Sequence, residues 1–350
     1  MKLAQKTNIR DLSLEEVQEY FEKAGEKKFR ANQLYEWLWK KRVRSFDEMS
    51  NLSKSLRIRL QEDFDFPALS IDATQFSTDG TIKTRFRTVD DFMVEGVLIP
   101  TANRQTACVS SQIGCSLGCK FCATGYMGRK RNLHFGEIYD QVAAIQQQAE
   151  ENFQKNLSNI VFMGMGEPLL NYKNVLKAIE RISSPEGMGM SPRRITVSTA
   201  GIAKMIKQLG DDRVKFKLAL SLHAATDNKR SQIMPINDSN NIKSLVDALN
   251  YFYKCTHNEI TLEYILFKNL NDSLQDAEDL VKLYRRIPAD LVNIIEYNPI
   301  DLASFSKAEE KVTEDFMQYL DRHRVNARLR RSRGKDIDAA CGQLANKETH

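Results

Sequence analysis

The spacing of apolar and polar positions changes twice along the chain. Up to about Pro67 the apolar residues recur at helical intervals. Ser13-Leu-Glu-Glu16 has the form of a capping box and predicts a helix running to Ala24-Gly25. Leu34, Trp37 and Leu38 mark a second helix within Phe29 to Val43, and a third is predicted from Leu52 to Phe64. Beyond Pro67 the period falls to two. Ser70 to Phe76 and Lys83 to Val89 alternate on either side of Thr78-Asp79-Gly80-Thr81, a hairpin signal, and Met93 to Ile99 reads as an apolar strand.

From Thr106 onward, strands alternate with helices. Strands are predicted at Ala107–Gln112, Asn159–Met163, Arg194–Thr199, Phe216–Leu222, Ile260–Phe267 and Leu291–Tyr297. Helices fall between them at Phe135–Gln148, Asn171–Ile182, Ile202–Leu209, Ile242–Tyr253 and Ser273–Arg286, with another at Lys307–His323. Such alternation calls for a parallel sheet covered by helices. The predicted fold is α/β, an incomplete (β/α)6 barrel. Residues 1–92 form a small helical domain with a β-hairpin connector, and residues 93–346 form the barrel and its C-terminal segment.

Composition excludes several classes. With 42% hydrophobic residues, mean hydropathy −0.46 and no apolar run long enough to cross a bilayer, the chain reads as globular, with no membrane role. Met1-Lys2-Leu3-Ala4-Gln5-Lys6 lacks a leader-like apolar core, and six scattered cysteines do not make a secreted disulfide framework. A cytoplasmic location is expected. The net charge of +5 is informative once placed: residues 1–60 hold 14 Lys and Arg against 9 Asp and Glu, and the remainder is balanced at 37 of each sign. Beside Phe29, Tyr35, Trp37 and Trp39, this basic surplus suits docking on phosphate backbones. A solvated helical face is the plainer alternative.

Three of the six cysteines, Cys115, Cys119 and Cys122, lie in the nine residues Gly114 to Cys122. Three thiolates at Cys-x3-Cys-x2-Cys spacing suit one polynuclear iron–sulfur group, leaving one iron corner open. With Phe121 before the last cysteine, the motif resembles that of radical S-adenosylmethionine (SAM) enzymes. A zinc site completed by Cys108 is the competing reading, but zinc usually prefers paired Cys-x2-Cys spacings.

Candidate cofactor contacts fall at successive strand ends, where barrel chemistry gathers. Met163-Gly-Met-Gly-Glu-Pro168 supplies Gly166 and Glu167, whose carboxylate can accept a hydrogen bond from the cofactor's amino group. Ser198, Ser221-Leu222-His223 and Asn298 end three further strands. Gly-Met-Gly-Glu-Pro-Leu, Ser-Leu-His-Ala and Asp336-Ile-Asp-Ala-Ala-Cys341-Gly-Gln-Leu344 resemble the bacterial RNA adenosine C2 methyltransferases, over essentially the whole chain.

That resemblance implies one 4Fe-4S cluster on Cys115, Cys119 and Cys122, and SAM, two molecules per turnover, held by Gly166, Glu167, Ser198, Ser221, Leu222, His223 and Asn298. It implies Glu95 as proton acceptor and Cys341 as the thiol that takes a methyl group by displacement. A radical from the second SAM then removes hydrogen from the methylated sulfur, and the carbon adds to adenine C2. Cys108 finally attacks Cys341, giving a Cys108–Cys341 disulfide and releasing methylated RNA. The implied partners are 23S rRNA, tRNA and a one-electron reductant such as a flavodoxin-type protein, acting on a monomer. Basic residues Arg324, Arg328, Arg330, Arg331, Arg333 and Lys335, with Arg129-Lys130-Arg131, are expected to line an RNA path across the mouth. Two alternatives stay open: a related C8 methyltransferase associated with ribosomal antibiotic resistance, and a non-catalytic, metal-stabilised RNA-binding module.

Overall fold

The computed structural model describes residues 6–347. The reading of Met1–Lys6 as free of a leader-like core therefore falls, apart from Lys6, outside the described residues. The helical region comprises α1 (Leu14–Lys23), α2 (Phe29–Tyr35), which continues as a wider π turn over Glu36–Lys40, and α3 (Lys54–Asp63). At the start of α1 the predicted capping box is complete: the Ser13 hydroxyl accepts from the Glu16 amide, and the Glu16 carboxylate accepts from the Ser13 amide.

Ten strands then form one sheet in chain order. They are β1 (Ser70–Phe76), β2 (Ile82–Arg87), β3 (Met93–Pro100), β4 (Gln105–Cys108), β5 (Asn159–Phe162), β6 (Ile195–Thr199), β7 (Lys217–Ser221), β8 (Ile260–Leu266), β9 (Leu291–Glu296) and β10 (Ala327–Arg330). Strands β1 to β4 pair antiparallel, and β4 through β10 run parallel. All six predicted parallel strands are present. A seventh, β10, arises from the basic stretch that the apolar pattern left unassigned. The hairpin connector is part of the same sheet, because β3 pairs with β4 from Val97 against Cys108 to Pro100 against Gln105.

The parallel strands are joined by α4 (Phe135–Phe153), α5 (Tyr172–Ser183), α6 (Ala203–Asp211), α7 (Asp227–Ile233), α8 (Ile242–Thr256), α9 (Leu274–Tyr284) and α10 (Glu310–Arg322). Apolar faces of these helices bury the sheet's outer surface, with Ile138, Val142 and Ile145 of α4 fully enclosed. The helical region docks on α4. Arg10 is 1% exposed and forms a two-pronged ion pair with Asp140, at 2.9 and 2.7 Å. Trp39 stacks on Phe135 and meets Tyr139 edge-on. Tyr35 and Trp39 are thus buried, whereas Phe29 is 47% exposed beneath the Arg30 guanidinium.

Candidate active site

After β4 the chain turns through Ser110 and Ser111 before the cysteine loop. Ser110 is a tie-point: its hydroxyl donates to the Glu95 carbonyl at 2.6 Å and accepts from the Met165 amide at 2.7 Å. Gln141 of α4 clamps the Ser110 backbone from the other side, accepting from its amide and donating to its carbonyl. At Gly114, φ is +72°, and a Cβ would lie 1.8 Å from the Gly128 carbonyl oxygen, so only glycine fits where the loop's two ends meet. The loop's far side rests on α7, through the Lys120 amide donating to the Ile233 carbonyl.

Cys115, Cys119 and Cys122 all line one cavity. Burial pushes the Cys115 thiol up to about 11 and raises Cys119 and Cys122 as well, and at Cys119 the two neighbouring cysteines add to the rise. Without a positively charged guest, three thiolates here would repel one another in a low-dielectric setting. Among the described residues no trio of His, Cys, Asp or Glu converges on a single-ion position.

The opposite wall is built from strand ends. Gly166, Glu167, Ser198, Ser221 and His223 line the cavity. Glu167 is buried, accepting from the Leu169 amide at 3.0 Å and the Ala200 amide at 2.7 Å, and burial raises its carboxyl group. The Ser198 and Ser221 hydroxyls lie 3.4 Å apart on adjacent strands. His223 accepts at Nδ1 from the Ile265 amide, which requires a neutral ring. Leu222 is core, with its amide bound to the Glu263 carbonyl. Asn298 stands behind the cavity lining, its Nδ2 donating to the Cys341 carbonyl at 3.2 Å while its buried Oδ1 has no partner.

Cys341 also lines the cavity, on a segment fastened at both ends rather than free. Asp336 accepts from the Ser77 hydroxyl and the Thr78 amide at the hairpin tip, and Asp79 accepts from the Gly334 amide. Past the cysteine, the Gly342 carbonyl accepts from the Ala123 amide and the Leu344 carbonyl accepts from the Thr124 hydroxyl. Between these ties the small residues are hydrogen-bonded as well, the Ala339 amide donating to the Gly334 carbonyl and the Ala340 carbonyl accepting from the Gln343 amide. Cys108, at the end of β4, is buried and a free thiol like Cys341. Burial, with a contribution from Cys341, moves it up to about 12. Glu95 lies outside the cavity lining. Its carboxylate is 1% exposed, sits 3.6 Å from Lys83 Nζ, and accepts from the Ala345 and Asn346 amides.

Two cavity residues went unread in the sequence. Arg330, expected on the RNA path across the mouth, lines the cavity together with Cys341, 3.7 Å from Glu263 Oε2. Glu263, on β8, is 4% exposed; its Oε1 accepts from Thr261 and Asn293, and its Oε2 has no hydrogen-bond partner among the described residues. A lone carboxylate in the apolar run Ile260–Leu266 was the available signal. Of the expected RNA path, Arg131 is committed to Asp90 and Glu137, Arg328 to Asn293 and Lys335 to Glu296, and Arg333 lies 3.9 Å from Asp79, while Arg129, Lys130, Arg324 and Arg331 are exposed.

A barrel that gathers three cysteines and four strand ends at one mouth belongs to the radical SAM class, and the Radical SAM superfamily model matches residues 109–284. The model of the ribosomal RNA large subunit methyltransferase N-terminal domain matches residues 7–65. The chain is 56% identical to a probable dual-specificity RNA methyltransferase RlmN of Cytophaga hutchinsonii, covering 97% of this chain and 93% of that one. It is 53% identical to the protein of the same description from Christiangramia forsetii, over 98% and 97%. The crystal structure of a radical SAM methyltransferase from Sphaerobacter thermophilus superposes with a TM-score of 0.91 at 40% identity, covering 97% of this chain and 99% of that one. The chain belongs to the RlmN family of RNA methyltransferases. The radical SAM class carries a 4Fe-4S cluster and SAM, and the cavity lining is compatible with both: three cysteine sulfurs on one wall, and on the other Glu167, the Ser198 and Ser221 hydroxyls and Glu263 Oε2, which has no hydrogen-bond partner among the described residues.

Proposed function

We propose that this enzyme methylates carbon 2 of adenosine in 23S rRNA and in tRNA, with Cys341 as the carrier of the new carbon. The observation that supports it most is that Cys341 faces the same cavity as Cys115, Cys119 and Cys122. The first three would hold the cluster; Gly166, Glu167, Ser198, Ser221, Leu222, His223 and Asn298 would hold SAM, two molecules being consumed per turnover. When bound, these groups supply the methyl group and one-electron chemistry.

The chain's own residues do the rest. Carbon 2 of adenine lies between two ring nitrogens and is too electron-poor to attack a methyl cation equivalent, so a sulfur relay is needed. Cys341 sulfur accepts the methyl group, losing its proton. Once that carbon is bonded to the base, protein and RNA are joined. The joined adduct still carries an unpaired electron, which the cluster the three cysteines would hold could take back, and Glu95 takes the proton leaving carbon 2, which requires the Ala345 and Asn346 amides to release its carboxylate. Cys108 gives up its thiol proton and attacks Cys341 sulfur; the S–S bond forms as the S–C bond breaks, the carbon leaves with the bonding pair and takes up a proton to become the methyl group, and methylated RNA departs. Residues 1–92 would serve as an RNA-binding accessory region and 93–346 as the catalytic barrel, in a cytoplasmic monomer served by a flavodoxin-type reductant.

The test is chemical analysis of the product. Anaerobically reconstituted enzyme, supplied with reductant, SAM and RNA, is expected to yield 2-methyladenosine on nucleoside digestion. Methylation at carbon 8 would favour the antibiotic-resistance class instead. A preparation without iron and sulfide would overturn the reading.

A further inference from the structure

Arg230, on α7, is 0% exposed, yet its guanidinium hydrogen bonds all go to neutral oxygens. It donates to the Leu222 carbonyl at 3.1 Å, the Ser221 carbonyl at 3.2 Å, the Ala200 carbonyl at 2.5 Å and Asn237 Oδ1 at 2.9 Å. A buried cation without a direct anionic partner is costly, and the cost rises as the surroundings dry. Asp227 answers only at one remove, accepting from Asn237 Nδ2 at 3.0 Å. The other neighbour is the cysteine loop. Helix α7 is the element that loop rests on, through Lys120 and Ile233, and Ile233 and Met234 pack with Phe121, Cys119 and Cys122 in one apolar cluster. Burial lowers the Arg230 guanidinium to about 10, with Cys119 opposing the fall, so it stays charged at neutral pH.

From this placement we infer that Arg230 is a redox-positioning residue: its fixed positive charge, seated behind Cys119, offsets the negative charge of the cysteine-held cluster and makes that cluster easier to reduce. Three thiolates leave an oxidised cubane net negative, and the incoming electron makes it more so. A neighbouring cation in a low-dielectric site favours the reduced state. The same side chain fixes the carbonyls at the ends of β6 and β7, so the strand ends proposed to hold SAM are tied to the group that tunes the metal. The inference rests on the cysteine loop being a cluster site.

The experiment is an EPR-monitored redox titration of the reconstituted full-length protein, without RNA or turnover, for the wild type, Arg230→Met and Arg230→Lys. Iron and sulfide are assayed first; a wild type that assembles no cluster defeats the cluster reading itself, not the role of Arg230. With the cluster present, Arg230→Met is expected to lower the reduced-to-oxidised ratio at fixed poise about tenfold, equivalent to about 59 mV for one electron. Arg230→Lys, which keeps the charge but loses the fork, is expected to stay within about threefold of wild type. Equal ratios in all three proteins, or a lysine variant as impaired as the methionine one, would assign Arg230 a purely scaffolding role. Should Arg230→Met fail to fold, Asp227→Asn gives the opposite sign: removing the carboxylate behind Asn237 is expected to raise the reduced fraction, and an unchanged fraction overturns the inference.

Discussion

Glu95 and Ala345 lie 250 residues apart and are joined by a 2.9 Å hydrogen bond from the Ala345 amide to the Glu95 carboxylate, with Asn346 adding a second at 3.1 Å. A charged, buried acceptor makes such bonds worth about 1.5–3 kcal/mol each. Glu95→Ala is therefore expected to release the C-terminal strap, with hydrogen exchange at Ala345 and Asn346 accelerating by at least about tenfold. Unchanged protection would mean that the strap is held elsewhere, by Thr124 or Asn298.

Under the proposed relay Cys341 and Cys108 carry different steps, and their variants should fail differently. Cys341→Ala is expected to make no methylated RNA and no adduct. Cys108→Ala should still join carbon to base and then stall, so protein cross-linked to RNA accumulates on denaturing gels. Multiple turnover by either variant would contradict the relay.

His223 makes the fold sensitive to acid. Burial, helped by Arg230, lowers its imidazole from 6.5 to about 3 in the folded chain, while the unfolded chain takes up the proton near 6.5. Its contribution to stability is complete above that value and drains away as the pH falls toward 3. The melting temperature of wild type should thus fall more between pH 7.5 and 5 than that of His223→Asn, whose side-chain oxygen can still accept from Ile265. Parallel losses would show that the ring takes up its proton without cost.

Lys27, Lys40 and Lys54 are exposed cations of the helical region. If they meet phosphates, replacing all three with alanine should weaken RNA binding without changing its sequence preference. The log–log salt slope should become shallower by roughly 2 to 3. An unaltered slope would remove this face from the RNA interface.

Local signals made most of the barrel legible. Thr78-Asp79-Gly80-Thr81 announced the hairpin, and the alternation of periods placed six parallel strands to within a few residues. The cysteine spacing and Gly-Met-Gly-Glu-Pro located two walls of the cavity. Strand β10 escaped because its polarity is inverted: Arg330 reaches into a polar mouth while Leu329 remains 37% exposed, the reverse of what an apolar pattern detects. Glu263 escaped because its neighbours in β8 are almost all apolar. Arg230 escaped because its role depends on carbonyls from two other strands, which no local spacing reveals. The clasping of Glu95 by Ala345 is likewise a product of topology.

The bond from Asp336 to Ser77 places the tip of the first hairpin on the far end of the polypeptide. A ribosome therefore emits the latch 259 residues before the bolt. Until synthesis is nearly finished, the nascent barrel has nothing to seat Cys341 against the cavity, and a product prematurely terminated after α10 would retain Cys115, Cys119 and Cys122 while lacking the thiol to which the proposed relay assigns the new carbon.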